Sequence, residues 1–220
     1  MKANDAYGVD IAIRRMDDLD RKVIEEVKSR IKVPHEVLND CCDAQLSVLD
    51  IGCGEGGLSV KLAQAGATVT GVDVGECGSE FAKQRLEYVQ GDMRELPMLL
   101  NERKFDICVI QRALHYVAYS DAVILLRDLR NRISHRLYIS VTGLESDIGR
   151  NYLDKTKPIE ERFCKLSDTD AEIFSINQKV CLYTPEEFID LLKESDWKIE
   201  EYWVSAFGNV KAVCSNLPRH

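Results

Sequence analysis

The sequence predicts an α/β fold, a doubly wound, mostly parallel β-sheet with helices on both faces. Three observations carry that expectation. The apolar residues Leu46, Val48, Leu49 and Ile51 run into a glycine cluster at Gly52, Gly54, Gly56 and Gly57, and a helical pattern follows. Strand-like and helix-like stretches then alternate to residue 142. The chain closes on two β segments joined by Gly208-Asn209, a pair suited to a tight hairpin turn, which adds an antiparallel strand.

Residues 1–16 carry little pattern apart from Tyr7 and Arg14-Arg15. From Asp17 to Ile31, Leu19, Val23, Ile24, Val27 and Ile31 keep helical spacing with charges between them, which predicts an amphipathic helix. Pro34 ends it, and a short helix is expected to Asn39. The first strand is expected at 46–51, and the glycine turn opens a helix over 57–65 that Gly66 stops. A second strand is expected at 67–73, then a polar turn and short helix to Leu86, then a third strand at 88–90. A helix over 95–102 leads to a fourth strand at 105–110, followed by a loop holding His115 and Tyr116. Ala122, Leu125, Leu126, Leu129 and Ile133 share one face of a helix over 120–133, and a fifth strand follows at 136–142.

The rhythm breaks at 143–182, which is polar and mixed in charge. So long an interruption reads as a lid or substrate wall. Thr184-Pro185-Glu186-Glu187 is a helix start: Thr caps, Pro takes the first position and acids face the helix N-terminus. That helix runs to Ser195, and β segments over 198–206 and 209–214 complete the chain. A single domain is expected, with a helical cap or lid over 1–45, a ligand-binding core over 46–142, the insert over 143–182, and a closing helix and hairpin over 183–220.

Composition narrows the function. The 220 residues carry a net charge of −8, which argues against non-specific binding of nucleic acid or anionic membrane. No apolar run reaches the roughly 20 residues of a membrane span, and the first residues lack the apolar segment of a secretion signal. A cytoplasmic protein is expected, monomeric or homodimeric. None of the eight cysteines forms a Cys-x-x-Cys pair or stands at metal-like spacing from a histidine, so no metal is expected and reduced thiols are. Cys108 reads as a small buried hydrophobe. Cys41-Cys42 reads as a loop or helix end, with a redox pair as the alternative.

Gly52, Gly54 and Gly57 fit Gly-x-Gly-x-x-Gly, the dinucleotide fingerprint. Three acids point elsewhere. Asp50 precedes the first glycine by two residues, where a dinucleotide strand is normally apolar. Asp73 closes the second strand, and Asp92 follows the third. All three sit at strand C-terminal ends, where open α/β sheets bind ligands.

With these residues the chain resembles the class I S-adenosylmethionine-dependent methyltransferases. Val48-Leu49-Asp50-Ile51-Gly52-Cys53-Gly54-Glu55-Gly56 is similar to their first motif, Gly71-Val72-Asp73 to the second and Gly91-Asp92-Met93 to the third. Phe105–Ile110 resembles their fourth strand, with Leu114-His115-Tyr116 following as in many small-molecule members, and 183–197 resembles their last helix. The resemblance implies a sheet of seven strands in the order 3-2-1-4-5-7-6, strand 7 antiparallel. It implies that Asp73 accepts both ribose hydroxyls, that Gly52, Cys53, Gly54 and Gly56 border the methionyl part, and that Asp50 holds that turn and the cofactor's amino end. Asp92 would accept from the adenine amine, Val74 and Met93 would pack on the adenine faces, and Gln111 would face the methionine moiety or the substrate. Simpler roles stay open: Asp50 as a turn cap, Asp73 and Asp92 as turn residues, Val74 and Met93 as core.

Methyl transfer from a sulfonium is an in-line displacement, so proximity and alignment supply much of the rate and a base is optional. His115, in the loop after the fourth strand, is the candidate base, with structural packing as its alternative role. Tyr7, Arg14, Tyr116, Arg150, Tyr152, Lys155, Arg162 and Phe163 are candidates for a wall around a polar or anionic small molecule. The Asn/Asp-Pro-Pro-Tyr/Phe motif of amino-directed nucleic-acid methyltransferases and a Pro-Cys nucleophile are both missing, which disfavours nucleic-acid bases. The expected activity is transfer of a methyl group to oxygen or nitrogen of a small molecule. A nicotinamide-dependent oxidoreductase and a non-catalytic cofactor-binding or partner module are the alternatives.

Overall fold

The structure is a computed structural model that describes residues 17–31, 45–76, 81 and 86–216. Tyr7, Arg14, Cys41, Cys42, Cys77 and the expected helices ending at Asn39 and Leu86 lie outside the described residues. Seven strands form one sheet, in the order β3-β2-β1-β4-β5-β7-β6. They are β1 (Ser47–Ile51), β2 (Thr68–Asp73), β3 (Leu86–Gln90), β4 (Phe105–Gln111), β5 (Ile133–Thr142), β6 (Lys198–Val204) and β7 (Asn209–Ser215). β1 to β5 run parallel, and β7 pairs antiparallel with both β5 and β6.

The helices are α1 (Asp18–Ile31), α2 (Gly57–Gln64), α3 (Leu96–Leu100), α4 (Tyr119–Arg132), α5 (Asp168–Phe174) and α6 (Pro185–Glu194). Strand alternation divides them between two faces. On β4, Ile107 and Val109 pack toward Leu19, Val23 and Val27 of α1 and Leu58 and Leu62 of α2. Cys108 and Ile110 face the other way, toward Leu126 and Leu129 of α4 and Phe188 and Leu191 of α6. Both faces of the sheet are thus apolar and covered, and β4 reads as a continuous apolar run for that reason. Trp197 anchors the α6 side by donating its indole N–H to the Leu126 carbonyl at 3.0 Å.

β1 pairs β2 on one side and β4 on the other, so the strand order reverses there. A crevice opens outside the strand C-terminal ends at such a reversal, and helices that start there aim their N–H groups into it.

The insert is a small packed unit. Tyr152, Leu166, Ile176, Val180 and Leu182 form its own apolar core. Cys164 and Val180 exchange backbone hydrogen bonds of 3.1 and 2.8 Å, and the Leu144 N–H donates to the Tyr183 carbonyl at 2.9 Å. Arg162, expected at a substrate wall, is instead only 4% exposed. Its guanidinium makes two bonds to the Glu187 carboxylate, at 2.6 and 2.8 Å, and donates to the Leu182 and Lys157 carbonyls. Glu187 also accepts from the Thr184 N–H at 2.8 Å, while Thr184 Oγ1 accepts from the Glu187 N–H at 3.2 Å. The capping box legible in the sequence therefore doubles as the anchor of the insert.

The hairpin departs from the expected two-residue turn. β6 ends at Val204, the connection is 205–208, and Asn209 already belongs to β7. Gly208 adopts a left-handed φ of 76°. Its N–H donates to the Ser205 carbonyl at 2.9 Å. A Cβ there would stand 2.5 Å from the Ser146 nitrogen, so the turn is packed against the insert and needs glycine for space as well as for φ.

Removing the Arg162 side chain leaves Glu187 partly buried without its cation and frees the insert from α6. Arg162→Ala is expected to lower stability by about 3 kcal/mol, read as the midpoint and slope of urea unfolding. A loss under about 0.5 kcal/mol would reduce this contact to an ordinary surface pair.

Candidate active site

The centre of the crevice is the 52–56 turn. Gly52, Gly54 and Gly56 have φ values of 70°, 55° and 87°, a region that L side chains rarely adopt. Space excludes side chains at two of them. A Cβ on Gly52 would lie 2.2 Å from the Ala113 Cβ, and one on Gly56 would lie 1.9 Å from the Phe81 ring. The Gly52 N–H continues the β2 ladder by donating to the Val72 carbonyl at 2.8 Å.

Asp50 is buried below this turn and accepts from Ser59 Oγ on α2 at 2.5 Å. Asp73 closes β2 beside it. One carboxylate oxygen accepts from the Gly54 N–H at 2.8 Å and the other from the Gly75 N–H at 2.9 Å. Each oxygen keeps a lone pair, so Asp73 can still take two O–H donors. Asp92 caps the short 3₁₀ turn Met93–Glu95. Both its oxygens receive Arg94, at 3.0 Å from Nε and 2.6 Å from Nη2. That charge holds the Asp92 carboxyl below its usual range.

One cleft of about 1490 Å³ is lined by Gly52, Gly54, Asp73, Val74, Asp92, Met93, Gln111, His115 and Tyr116. A pocket for one small molecule usually measures roughly 300–1,000 Å³, so this cleft has room for two ligands side by side. Asp50 beneath the turn, and Cys53 and Gly56 within it, are buried and do not line the cleft. A carboxylate beside a glycine turn, with two acceptor positions left, fits a ligand carrying paired hydroxyls.

His115 sits in the 3₁₀ turn Leu114–Tyr116 and is 3% exposed. Its Nδ1 lies 3.4 Å from Thr142 Oγ1, and its carbonyl accepts from the Cys181 N–H at 2.8 Å. Burial first, and then the Arg112 charge, lower its pKa to about 3. The ring is neutral across the physiological range and is a poor proton acceptor there.

Other wall candidates separate. Phe163 lines the cleft. Tyr152 is only 2% exposed, and its hydroxyl points at the Arg162 and Val180 carbonyls, 2.6 Å from the second, so it belongs to the insert's core. Arg150 is exposed and pairs at 3.0 Å with Asp147, which lines the cleft while Arg150 does not. Lys155 is exposed and reaches the Arg150 carbonyl at 3.4 Å. Polar wall residues and polar surface residues look alike in a sequence; only folding sorts them.

The fold also brings unexpected groups to the cleft. Asp17, Asp18 and Asp20 at the start of α1, Arg112 after β4 and Lys211 on β7 all line it. Lys211 is 2% exposed, and its ammonium binds Asp17 at 2.5 Å and also Asp18. A lone Lys between Val210 and Ala212 in an apolar strand was a signal of a buried ion pair. The acids of α1 gave no such signal, because acids ordinarily begin helices.

Comparison with known proteins agrees with this architecture. The family model described as "Methyltransferase domain" matches residues 48–135. A ubiquinone biosynthesis O-methyltransferase of Schizosaccharomyces pombe, described as mitochondrial, is 28% identical over 187 residues, covering 80% of this chain and 60% of that protein. Its counterpart in Haemophilus ducreyi is 39% identical over 80 residues, covering 32% of this chain and 34% of that protein. The chain thus spans less than two thirds of the length of these relatives. Among solved structures, a SAM-dependent methyltransferase of Methanosarcina mazei superposes with a TM-score of 0.60 at 19% identity, covering 84% of this chain and 98% of that one. A 1,6-didemethyltoxoflavin-N1-methyltransferase of Burkholderia thailandensis, solved with S-adenosylhomocysteine, gives 0.61 at 18% identity, covering 90% and 78%. The sheet order and these matches show the fold of the class I methyltransferases, with a methyltransferase-domain match over residues 48–135.

The buried imidazole has a measurable signature. Between about 3 and the ordinary 6.5, the unfolded chain binds a proton at His115 that the folded chain does not. Stability is therefore lost as pH falls below 6.5. Asp20, raised to about 6 from 3.8, works in the opposite direction between those values. Comparing wild type with His115→Gln isolates the histidine. Wild type should lose about 1.4 kcal/mol per pH unit relative to the variant, in urea unfolding at pH 7, 6 and 5. Parallel curves would place the ring in water.

Proposed function

We propose that this chain transfers a methyl group from S-adenosylmethionine to a hydroxyl or amine of a small molecule. The observation that carries the reading is Asp73, which ends β2 against the glycine turn with two acceptor positions left. Its carboxylate holds the paired ribose hydroxyls through charge-assisted bonds. The Gly52–Gly56 backbone borders the methionyl portion, and Asp50 steadies that turn through Ser59. Asp92 accepts from the adenine amine, with Arg94 keeping the carboxylate ionised. Val74 and Met93 flank the base, and Gln111 faces the methionine end. The O-methyltransferase names of the sequence relatives support oxygen as the acceptor atom.

Bound S-adenosylmethionine supplies an activated methyl group on a sulfonium. The chain's residues align the acceptor and exclude water, which supplies much of the rate acceleration. His115, neutral and pinned by Thr142 and the Cys181 amide, serves as a fixed hydrogen-bonding wall of the acceptor end. Among the described residues no helix is long and apolar enough to cross a membrane.

Calorimetric titration tests the cofactor site. S-Adenosylhomocysteine should bind wild type, and Asp73→Asn should weaken it by roughly 10- to 100-fold, the worth of hydrogen bonds to a charged group. Unchanged affinity in the variant, or tighter binding of NADH than of S-adenosylhomocysteine, would overturn the assignment.

A further inference from the structure

Among the described residues that line the cleft, two carry a buried side-chain atom with no hydrogen-bond partner. Asp20 is 1% exposed. Its Oδ2 accepts from the Asp17 N–H at 3.0 Å, while Oδ1 is buried without a hydrogen bond. Arg112 comes from the strand on the other side of the crevice mouth, and its Nε is likewise buried without a hydrogen bond. Both residues line the same cleft as the glycine turn. Arg112 has a φ of 50°, a left-handed conformation unusual for a residue with a side chain. Its N–H is held by Ser140, at 3.1 Å from the carbonyl and 3.0 Å from Oγ. This bend sets the guanidinium at the end of β4 and seats Ala113 against Gly52. Such local strain persists where surrounding structure over-determines it, and it clusters at functional sites.

An acceptor and a donor left unpaired in low dielectric are costly, and a ligand group that satisfies both recovers that cost. One hydroxyl does so, because it donates one hydrogen and accepts another. An ammonium group offers no lone pair and meets the Arg112 charge unfavourably. A thiol does both weakly. The outer part of the cleft is apolar: Ile173, Phe207 and Val204 are exposed at its rim, with Phe163 and Phe174 behind them.

We infer that Asp20 and Arg112 form the acceptor-hydroxyl site, in which Asp20 Oδ1 takes the proton and Arg112 Nε–H holds the oxygen of a hydroxyl carried on an apolar, aromatic skeleton. The inference rests on the methyl-transfer reading above. The balance is simple. The acceptor O–H bond breaks and its proton passes to Asp20. An oxygen lone pair forms the O–CH₃ bond while the S–CH₃ bond breaks, and that electron pair returns to sulfur, leaving a neutral thioether. Asp20 then releases the proton to solvent, so each turnover frees one proton.

The electrostatics suit this role. Burial raises the Asp20 pKa to about 6; the hydrogen bond from the Asp17 N–H and the charges of Lys61 on α2 and Arg112 after β4 oppose the rise, and the Asp17 carboxylate charge adds to it. Also at this end of the cleft are Arg21 on α1 and the cluster of Lys211 with Asp17 and Asp18, in which one ammonium meets two carboxylates and one negative charge is left over. Asp20 is thus poised closer to neutrality than His115.

The test uses the full chain with S-adenosylmethionine and two catechols, 4-methylcatechol and 4-nitrocatechol, whose nitro group makes a hydroxyl acidic enough to ionise near neutral pH. Asp20→Asn should bind S-adenosylhomocysteine within twofold of wild type in calorimetry, showing an intact fold. It should lose at least 30-fold in kcat/KM on 4-methylcatechol and less than fivefold on 4-nitrocatechol, because only the first needs a base. The acid limb of the wild-type pH profile, with its midpoint near 6, should disappear in the variant. Arg112→Gln should lose activity on both catechols with S-adenosylhomocysteine affinity unchanged. Equal losses of Asp20→Asn on both catechols, an acid limb that persists, or methylation only of amines and thiols in a parallel panel would overturn the inference while leaving the cofactor site standing. Failure of wild type to bind S-adenosylhomocysteine would overturn both.

Discussion

The close approach of the 52–56 turn to its surroundings is the constraint on which the rest of the site depends. Gly52 stands against Ala113, Gly56 against Phe81, and the Gly54 N–H against Asp73. These contacts tie the ends of β1, β2 and β4 into one crevice wall. Any side chain at Gly52 would push the segment after β4 away, and with it Arg112 and His115. Both sides of the cleft, at the ends of β2 and β3 and at the end of β4, are therefore set by backbone that only glycine can supply.

The insert completes one wall of the cleft. It sits rigidly, because a buried guanidinium binds Glu187 and because the Cys181 amide and the Tyr183 backbone continue hydrogen bonds from His115 and Thr142. A buried pair of this kind stabilises little relative to an apolar packing, but it fixes one arrangement. Here that arrangement brings Phe163 and α5 to the rim opposite the β6–β7 turn. Gly208, pressed against Ser146, holds the turn from its side. The wall is thus a packed structure with its own core.

Charge is placed unevenly along the cleft. Asp73 and Asp92 accept hydrogen bonds at one end. At the other end, Lys211 bridges Asp17 and Asp18, and among the described cleft-lining residues Asp20 Oδ1 and Arg112 Nε are the buried side-chain atoms without a hydrogen bond. In low dielectric an unsatisfied donor and acceptor facing one cavity are a specification for what enters it.

The sequence by itself determined the sheet and its helices and singled out Asp50, Asp73 and Asp92 beside the glycine turn, because these depend on local signals. Buried strands read as apolar runs, the Thr184 cap and Pro185 mark a helix start, and acids at three successive strand ends accompany one glycine turn. Errors fell where neighbours along the chain carry no information. Tyr152 and Arg162 looked like wall residues because their polarity is visible and their burial is not. The hairpin turn looked like Gly208-Asn209 because its packing against Ser146 spans 62 residues of chain. Only the tertiary structure decided which charges meet: that Lys211 pairs with Asp17 and Asp18 at the start of α1, that desolvation keeps His115 neutral, and that Asp20 and Arg112 line the same cleft. Those properties are sums over groups distant in sequence, and burial, which sets their size, exists only once the chain has folded.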